Sequence, residues 1–406
     1  MNRETKYPWV VVGLLWMVAL LNYLDRQMLS TLRPTMQADI PELQSAAWFG
    51  YLMAIFLWVY GLMSPLSGII ADRVNRKMLI VASLFVWSGV VLAMGYATTF
   101  RQLYWLRGVM GVSEALYLPA GLSLIADYHP SRTRSLAVGV HMTGLYLGQA
   151  LGGFGATIAA RWSWQSTFHV FGLIGIAYAG ILLLFLRAPP RSGTPRRHRS
   201  LAGLGTLLTT PSFWVILFYF AVISLPGWAA KNWLPTLFAS NLHLTMSAAG
   251  PLATITIAAA SFAGVISGGI LSDRWVQTNV RGRVYVCAIG LGLTIPSLLL
   301  LGYGHSLVTV IAAAVGFGFG FGMIDAGNMP ILCQFVAPYQ RATGYGLMNM
   351  TGVFAGAFIT DWLGKSTDAG HLGRDFSLLA TVVLLAMILQ LYFLKPATND
   401  LKDELI

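Results

Sequence analysis

Long apolar runs alternate along the chain with short polar or basic stretches, and each run is about the 20 residues that a helix needs to cross a bilayer. Gly, Pro and charge cut the runs into predicted helices over 8–32, 46–70, 78–98, 103–126, 135–160, 165–187, 211–239, 249–272, 284–303, 307–335, 343–363 and 376–395. The pattern predicts an all-α integral membrane protein of twelve transmembrane helices. The first run, from Pro8 past Leu21, lacks a small-residue cleavage site and continues too far for a signal peptide, so it is expected to be the first span. The longest polar stretch, Arg187 to Ser200, divides the helices six and six. It predicts an N-terminal six-helix bundle over 1–187, a cytoplasmic linker over 188–208 and a C-terminal six-helix bundle over 209–406.

The halves resemble each other. Gly68-Ile-Ile-Ala-Asp72-Arg73 matches Gly269-Ile-Leu-Ser-Asp273-Arg274, and Pro34-Thr35 matches Pro235-Thr236 at the same offset. Gly111-Val-Ser-Glu114-Ala115 with Pro119 pairs with Gly322-Met-Ile-Asp325-Ala326 with Pro330. Six-helix halves repeated in parallel imply a pseudo-two-fold axis along the membrane normal and a central cavity between the bundles.

Composition agrees with lipid as the solvent: 406 residues are 56% hydrophobic and 10% charged, with mean hydropathy +0.67, whereas a soluble domain carries about a quarter charged residues. The net charge of +11 raises the question of nucleic acid, but the basic residues cluster in short stretches between apolar runs, a membrane topology pattern that implies no nucleic-acid partner. The positive-inside rule places Arg73, Arg76, Lys77, Arg132, Arg134, Arg187, Arg196, Arg197, Arg199, Arg274, Arg281, Arg283, Arg341 and Lys395 on the cytoplasmic side, with both termini. Few basic residues (Arg33, Arg101, Arg161, Lys365, Arg374) fall outside. The setting expected is a bacterial inner membrane, with the protein a monomer in contact with lipid. Cys287 and Cys333 provide neither a disulfide framework nor a metal spacing, and no Ser-His-Asp, Cys-His or paired metal-ligand constellation occurs. No enzyme activity, cofactor or metal is expected.

Charge at membrane depth costs about 2.5–3.5 kcal/mol on insertion scales, so Asp25, Arg26, Arg107, Glu114, Lys231 and Asp325 should face the cavity and be paired. Neighbouring helical residues point about 100° apart, so Asp25 and Arg26 cannot both serve one partner. Arg107 and Glu114 lie two turns apart on one helix face. An arriving anion would draw the guanidinium away and leave the carboxylate to take a proton; the alternative is a static ion-pair cluster locking helix one to helix four. Asp25, Glu114 and Asp325 are therefore the proton-coupling candidates, with Asp325 either a second carrier or a partner of Lys231. Arg26, Arg107 and Lys231 are the anion-binding candidates, although Lys231 either faces inward or snorkels to the outer interface. Tyr23, Tyr117, Tyr146, Asn328 and Asn349 occupy gapped polar positions suited to lining a cavity. His141 is either a proton relay or a neutral, hydrogen-bonded residue. The run Gly316-Phe-Gly-Phe-Gly-Phe-Gly322 lacks a phosphate loop's strand and Lys-Ser/Thr, and is read as close helix packing.

Several of these segments resemble the major facilitator superfamily over essentially the whole chain. Gly68-Ile-Ile-Ala-Asp72-Arg73-Val-Asn-Arg76-Lys77 looks like that superfamily's signature between helices two and three, departing at Asn75, where glycine is usual. Arg107-Gly-Val-Met-Gly111 is similar to its arginine motif, and Gly144-Leu-Tyr-Leu-Gly148-Gln-Ala-Leu-Gly152-Gly153 to its glycine-rich motif, with Gln149 where antiporters tend to have proline. The resemblance implies two rocking bundles and a cytoplasmic gate of Gly68, Asp72, Arg73, Arg76, Asp273 and Arg274. Asn22-Tyr23-Leu24-Asp25-Arg26-Gln27 and the Glu114 segment resemble both anion:cation symporters and spinster-like lipid transporters. Lys231-Asn-Trp-Leu-Pro235-Thr leans toward symporters of sugar acids and carboxylates; Asp72-Arg-Val-Asn75-Arg-Lys and Glu114-Ala-Leu-Tyr117 lean toward the spinster-like group. The expectation is a proton-coupled symporter of a small organic anion, the alternative a transporter of a lysolipid or sphingoid-like amphiphile.

Overall fold

A computed structural model describes residues 3–129, 131–187, 207–336 and 340–396. Most of the predicted linker, 188–206, lies outside the described residues. The described chain forms α1 (Arg3–Met36), a 3-10 turn (Pro41–Gln44), α2 (Ala46–Arg73), α3 (Arg76–Met94), α4 (Phe100–Ala115), α5 (Tyr117–Tyr128), α6 (Ser131–Gly152), α7 (Gly155–Arg161) and α8 (Trp164–Phe185). Beyond the linker come α9 (Pro211–Leu242), α10 (Met246–Thr278), α11 (Gly282–Tyr303), α12 (Leu307–Phe335), α13 (Arg341–Asp368) and α14 (Leu372–Phe393).

Among the described residues, ten helical segments are long and apolar enough to cross a membrane, α4 and α5 together forming one of them. The remaining two predicted spans are filled by α6–α7 and α13, whose polar residues, among them His141, Gln149, Asn349, Asp361 and Lys365, lower their apolarity. The protein is an integral membrane protein, and its described residues supply twelve membrane-length helical segments.

Two predicted single helices are broken. The span 103–126 divides at Leu116, because Pro119 has no N–H for the Ala115 carbonyl and its ring crowds that carbonyl. Leu116 N–H instead donates to Ser113 O in a tightened turn, directly after Glu114. The span 135–160 divides at Gly153-Phe154, between α6 and α7. Asn75, standing where the signature has glycine, caps α3: its side chain accepts from Met78 N–H.

The packing repeats. In the first half α1 packs on α6, α2 on α4 and α3 on α8; in the second α9 packs on α13, α10 on α12 and α11 on α14. The bundles meet along α2–α13 and, by the same symmetry, α6–α10. This is the architecture of two pseudo-symmetric six-helix bundles. Lipid supplies no hydrophobic drive between helices, so small residues that admit close approach hold them together. At the α6–α10 seam a Cβ on Gly153 would run into Thr254 Oγ1 and stand 2.8 Å from Gly250 O. At the α2–α13 seam one on Gly50 would stand 2.9 Å from Thr360 O.

One end of the molecule carries the basic residues at the end of α2, the starts of α3, α11 and α13, and the ends of α8 and α10. The bundles are closed at the opposite, far end. There Asp368 on α13 accepts from Ser45 Oγ (2.5 Å), Ala46 N (2.6 Å) and Ala47 N (2.9 Å) at the start of α2. Thr254 Oγ1 donates to Ala150 O (2.9 Å), Thr157 Oγ1 to Ser247 O (2.8 Å) and Gln27 Nε2 to Lys231 O (2.8 Å). Toward the basic end Asp325 and Tyr345 sit between the bundles yet are exposed, so the cavity opens to that side.

Candidate functional site

α1, α2 and α4 bring a charge cluster to the middle of the first bundle. Arg26 Nε donates to Glu114 Oε2 at 2.5 Å; the Glu114 side chain is fully buried and that of Arg26 is 13% exposed. The Arg26 guanidinium also lies over the rings of Tyr60 (4.6 Å), Phe56 (4.9 Å) and Tyr23 (5.1 Å). Aromatic faces of this kind stabilise a desolvated cation. Arg107 lies over the same Phe56 ring at 4.5 Å and contacts Met110 Sδ at 3.3 Å. Asp25 diverges from Arg26: it is buried and feels the charges of Glu114 and Arg107 beside Trp87. One oxygen of each acid, Glu114 Oε1 and Asp25 Oδ1, is buried without a hydrogen bond among the described residues. A buried carboxylate oxygen without a donor is costly.

The second bundle adds Lys231 on α9 and Asp325 on α12, whose charges interact without a direct ion pair among the described residues. Lys231 does not snorkel away; its ammonium lies 4.9 Å from the Trp228 ring centre. Asn328 Nδ2 donates to Asp325 Oδ1 at 3.2 Å. Tyr23 and Tyr60 of one bundle and Tyr345 and Asp325 of the other lie within electrostatic reach of each other, as does Tyr146, whose ring meets Phe262 of α10 edge-on. These groups line the centre.

Other candidates stand elsewhere. Tyr117 is buried inside the first bundle and donates to Leu15 O (2.8 Å), because the kink after Glu114 turns it toward α1 and Trp87 rather than into the cavity. His141 packs beside it, buried. Asn349 donates to Ser64 Oγ (2.8 Å) and stitches α13 to α2. Arg107, with 3% of its surface exposed, sits behind the cavity wall rather than in it. In the gate set, Arg73, Asp273 and Arg274 are exposed at the basic end, Gly68 has open space around it, and the Asp72 side chain lies outside what is described. Arg76 pairs with Asp127, tying α3 to α5 within one bundle. Reasoning from the sequence missed Phe56, Tyr60, Tyr345, Trp228 and Asp127. Phe56 and Tyr60 are one helical turn apart, but within a continuous apolar run that spacing carries no signal.

Paired six-helix bundles thus meet about a set of charged and polar groups at membrane depth that is exposed toward the basic end. The Major Facilitator Superfamily model matches residues 15–360, and the chain belongs to that family. It is similar to Protein spinster homolog 1 of Xenopus laevis, 28% identical over 72% of this chain and 59% of that one, so it spans about three fifths of the length of such relatives. It is also similar to the 4-hydroxybenzoate transporter PcaK of Pseudomonas putida, 28% identical over 94% of this chain and 90% of that one. Among solved structures, a bacterial homologue of the human lysosomal transporter Spinster, in an inward-facing and unoccupied conformation, superposes with a TM-score of 0.82 at 20% identity, covering 99% of both chains.

Proposed function

We propose that this transporter is a proton-coupled symporter of a small organic anion, such as a sugar acid or other carboxylate. The observation that carries this reading is the buried Arg26–Glu114 pair, with Asp25 and Arg107 beside it and one buried oxygen of each acid without a hydrogen bond among the described residues. A substrate carboxylate that takes the Arg26 guanidinium leaves Glu114 without its cation in a low-dielectric site, and the acid then takes a proton. Asp25 and Asp325 serve the same coupling, Tyr23, Tyr146, Lys231 and Asn328 hold the substrate, and the basic-end gate of Asp72, Arg73, Arg76, Asp273 and Arg274 closes when the far end opens. The bundles 1–187 and 209–406 rock about the cavity, joined by 188–208. The basic end faces the cytoplasm of a bacterial inner membrane, with both termini there, and the protein works as a monomer. Similarity to an aromatic-acid transporter supports an anionic substrate. The test is uptake of labelled sugar acids and carboxylates into proteoliposomes under an imposed inward proton gradient. Gradient-driven accumulation is expected; uptake indifferent to the gradient would overturn the reading.

A second reading rests on similarity to spinster homolog 1: a lysolipid or sphingoid-like amphiphile as substrate. Thermal stabilisation of the detergent-solubilised protein by lysolipids but not by carboxylates would favour it, since a ligand that binds the folded state raises apparent stability.

A further inference from the structure

The two bundles place unlike cations on the cavity. Arg26 already has an acid partner and three aromatic faces. Lys231 has neither a salt bridge nor a hydrogen-bond acceptor among the described residues, only the Trp228 ring and the more distant charge of Asp325. A half-buried ammonium in a membrane interior is stabilised by an anionic partner, and none is supplied to Lys231 by direct contact among the described residues.

The repeat explains the positions. Arg26 aligns with Gly227 through the Pro34-Thr35 and Pro235-Thr236 correspondence, and Lys231 stands one helical turn beyond Gly227. A Cβ on Gly227 would run into the Phe321 ring, so α9 and α12 touch there. Asp325 lies one turn beyond Phe321 and matches Glu114 in the other half. Gln27 Nε2, next to Arg26, bonds Lys231 O, which fixes the two cations' backbones against one another across the interface. Lys231 also borders, with Gln27, Gln149 and Thr254, a crevice of only about 10 Å³, too small for a carboxylate, so an anion would reach the ammonium from its exposed side. Each half thus supplies one cation from its first helix and one acid from its fourth.

Building on the anion-symport reading above, we propose that the transported substrate is a dicarboxylate, bound with one carboxylate at Arg26 and the other at Lys231, and that two protons accompany it, one on Glu114 and one on Asp325. Two negative charges and two protons cross together, so the cycle moves no net charge. The site spans both bundles, and a substrate held at both ends draws them together around itself. A monocarboxylate fills one half and leaves the other cation without an acceptor.

The experiment uses the full chain in proteoliposomes, with succinate, glutarate and galactarate compared against butyrate, gluconate and a phosphate monoester. Dicarboxylates should compete at least tenfold better than monocarboxylates of matched length, and at equilibrium one pH unit should accumulate them about 100-fold, since two protons each contribute about tenfold. Clamping the membrane potential with potassium and valinomycin should leave the rate unchanged. Lys231→Gln should abolish the preference for dicarboxylates, and Asp325→Asn should reduce accumulation to about tenfold per pH unit. Wild-type accumulation of about tenfold, or equal competition by mono- and dicarboxylates, would overturn the two-site proposal while leaving one-proton anion symport standing. Preference for the phosphate monoester, whose charges sit on one group, would overturn it too. No response to pH with any anion would sink the symport reading itself. The wild-type stoichiometry decides the matter even where a variant fails to fold.

Discussion

Breaking a buried ion pair by removing one partner leaves the other charge stranded in a medium that cannot solvate it, typically at a cost of about 3–5 kcal/mol. Arg26→Ala is therefore expected to lower the melting temperature of the detergent-solubilised protein and to abolish anion binding, and Arg26→Lys to restore little, because an ammonium cannot span Glu114 and the Tyr23, Phe56 and Tyr60 faces as a planar guanidinium does. The double change Arg26→Ala with Glu114→Gln should be more stable than Arg26→Ala alone, since no charge is left unpaired. Calorimetry on folded protein checks both; equal anion affinity in wild type and Arg26→Ala would exclude the clamp role. Glu114→Gln separates binding from coupling. Glutamine imitates the protonated acid but has no proton to release, so counterflow exchange should survive while gradient-driven accumulation is lost. Undiminished accumulation by Glu114→Gln, measured beside counterflow in the same liposomes, would make this glutamate a structural partner only.

Among the elements, the breaks matter as much as the spans. The α6–α7 break lets Gly153 touch Gly250 and Thr254, and Gly153→Val is expected to hold the far end open and stop transport without unfolding the bundles. Gly89→Ala, with nothing within 4 Å of the added carbon, is the control and should be neutral or stabilising by about 0.5–1 kcal/mol. Far-end accessibility of introduced cysteines distinguishes the two; wild-type transport by Gly153→Val would show that the seam does not need to close. The spans themselves were legible because a bilayer imposes one length and one polarity on every helix. So was the list of intramembrane charges, since each is a rare and costly residue in an apolar run. The kink at Leu116 was less so: Pro119 signals a bend, yet only packing against α1 decides that Tyr117 turns away from the cavity. Tyr60 and Tyr345 could not be picked out, because a tyrosine facing lipid and one facing the cavity obey the same hydropathy. Lys231 was ambiguous for a related reason: its four-carbon stem reaches either the interface or the centre, and Trp228, one turn earlier, decides it.

For the molecule as a whole, alternating access requires a far-end closure strong enough to hold and weak enough to release, and Asp368 has the geometry for it. Its carboxylate belongs to the second bundle but satisfies the first N–H groups of α2 in the first bundle, the end of a helix that favours negative charge. Partial burial pushes its pKa up, but the Ser45 hydroxyl, the Ala47 and Ala46 N–H groups and the nearby Arg33 charge outweigh this and hold it below the usual carboxylate range. When the bundles part, those donors leave and the pKa returns to its ordinary value. A carboxyl whose pKa is lowered in the closed form stabilises closure above its ordinary pKa, and that contribution is lost as pH falls through the lowered value. Acid on the far side therefore loosens the far-end closure, which is the direction an importer driven by external protons needs. The neighbouring Lys365 is paired with Asp361, so Arg33 is the cation that tunes the latch. Spin labels at Glu42→Cys and His371→Cys, in a Cys333→Ser background, would report the far-end separation. At neutral pH the wild type should populate the short distance, and Asp368→Ala should shift the closed-to-open ratio by about fivefold, the effect of roughly 1 kcal/mol after discounting for the group's exposure. The same shift should appear in the wild type on acidification and be absent in Asp368→Ala, whose latch no longer titrates. A distance distribution that neither the substitution nor acid alters would assign closure to the glycine seams alone.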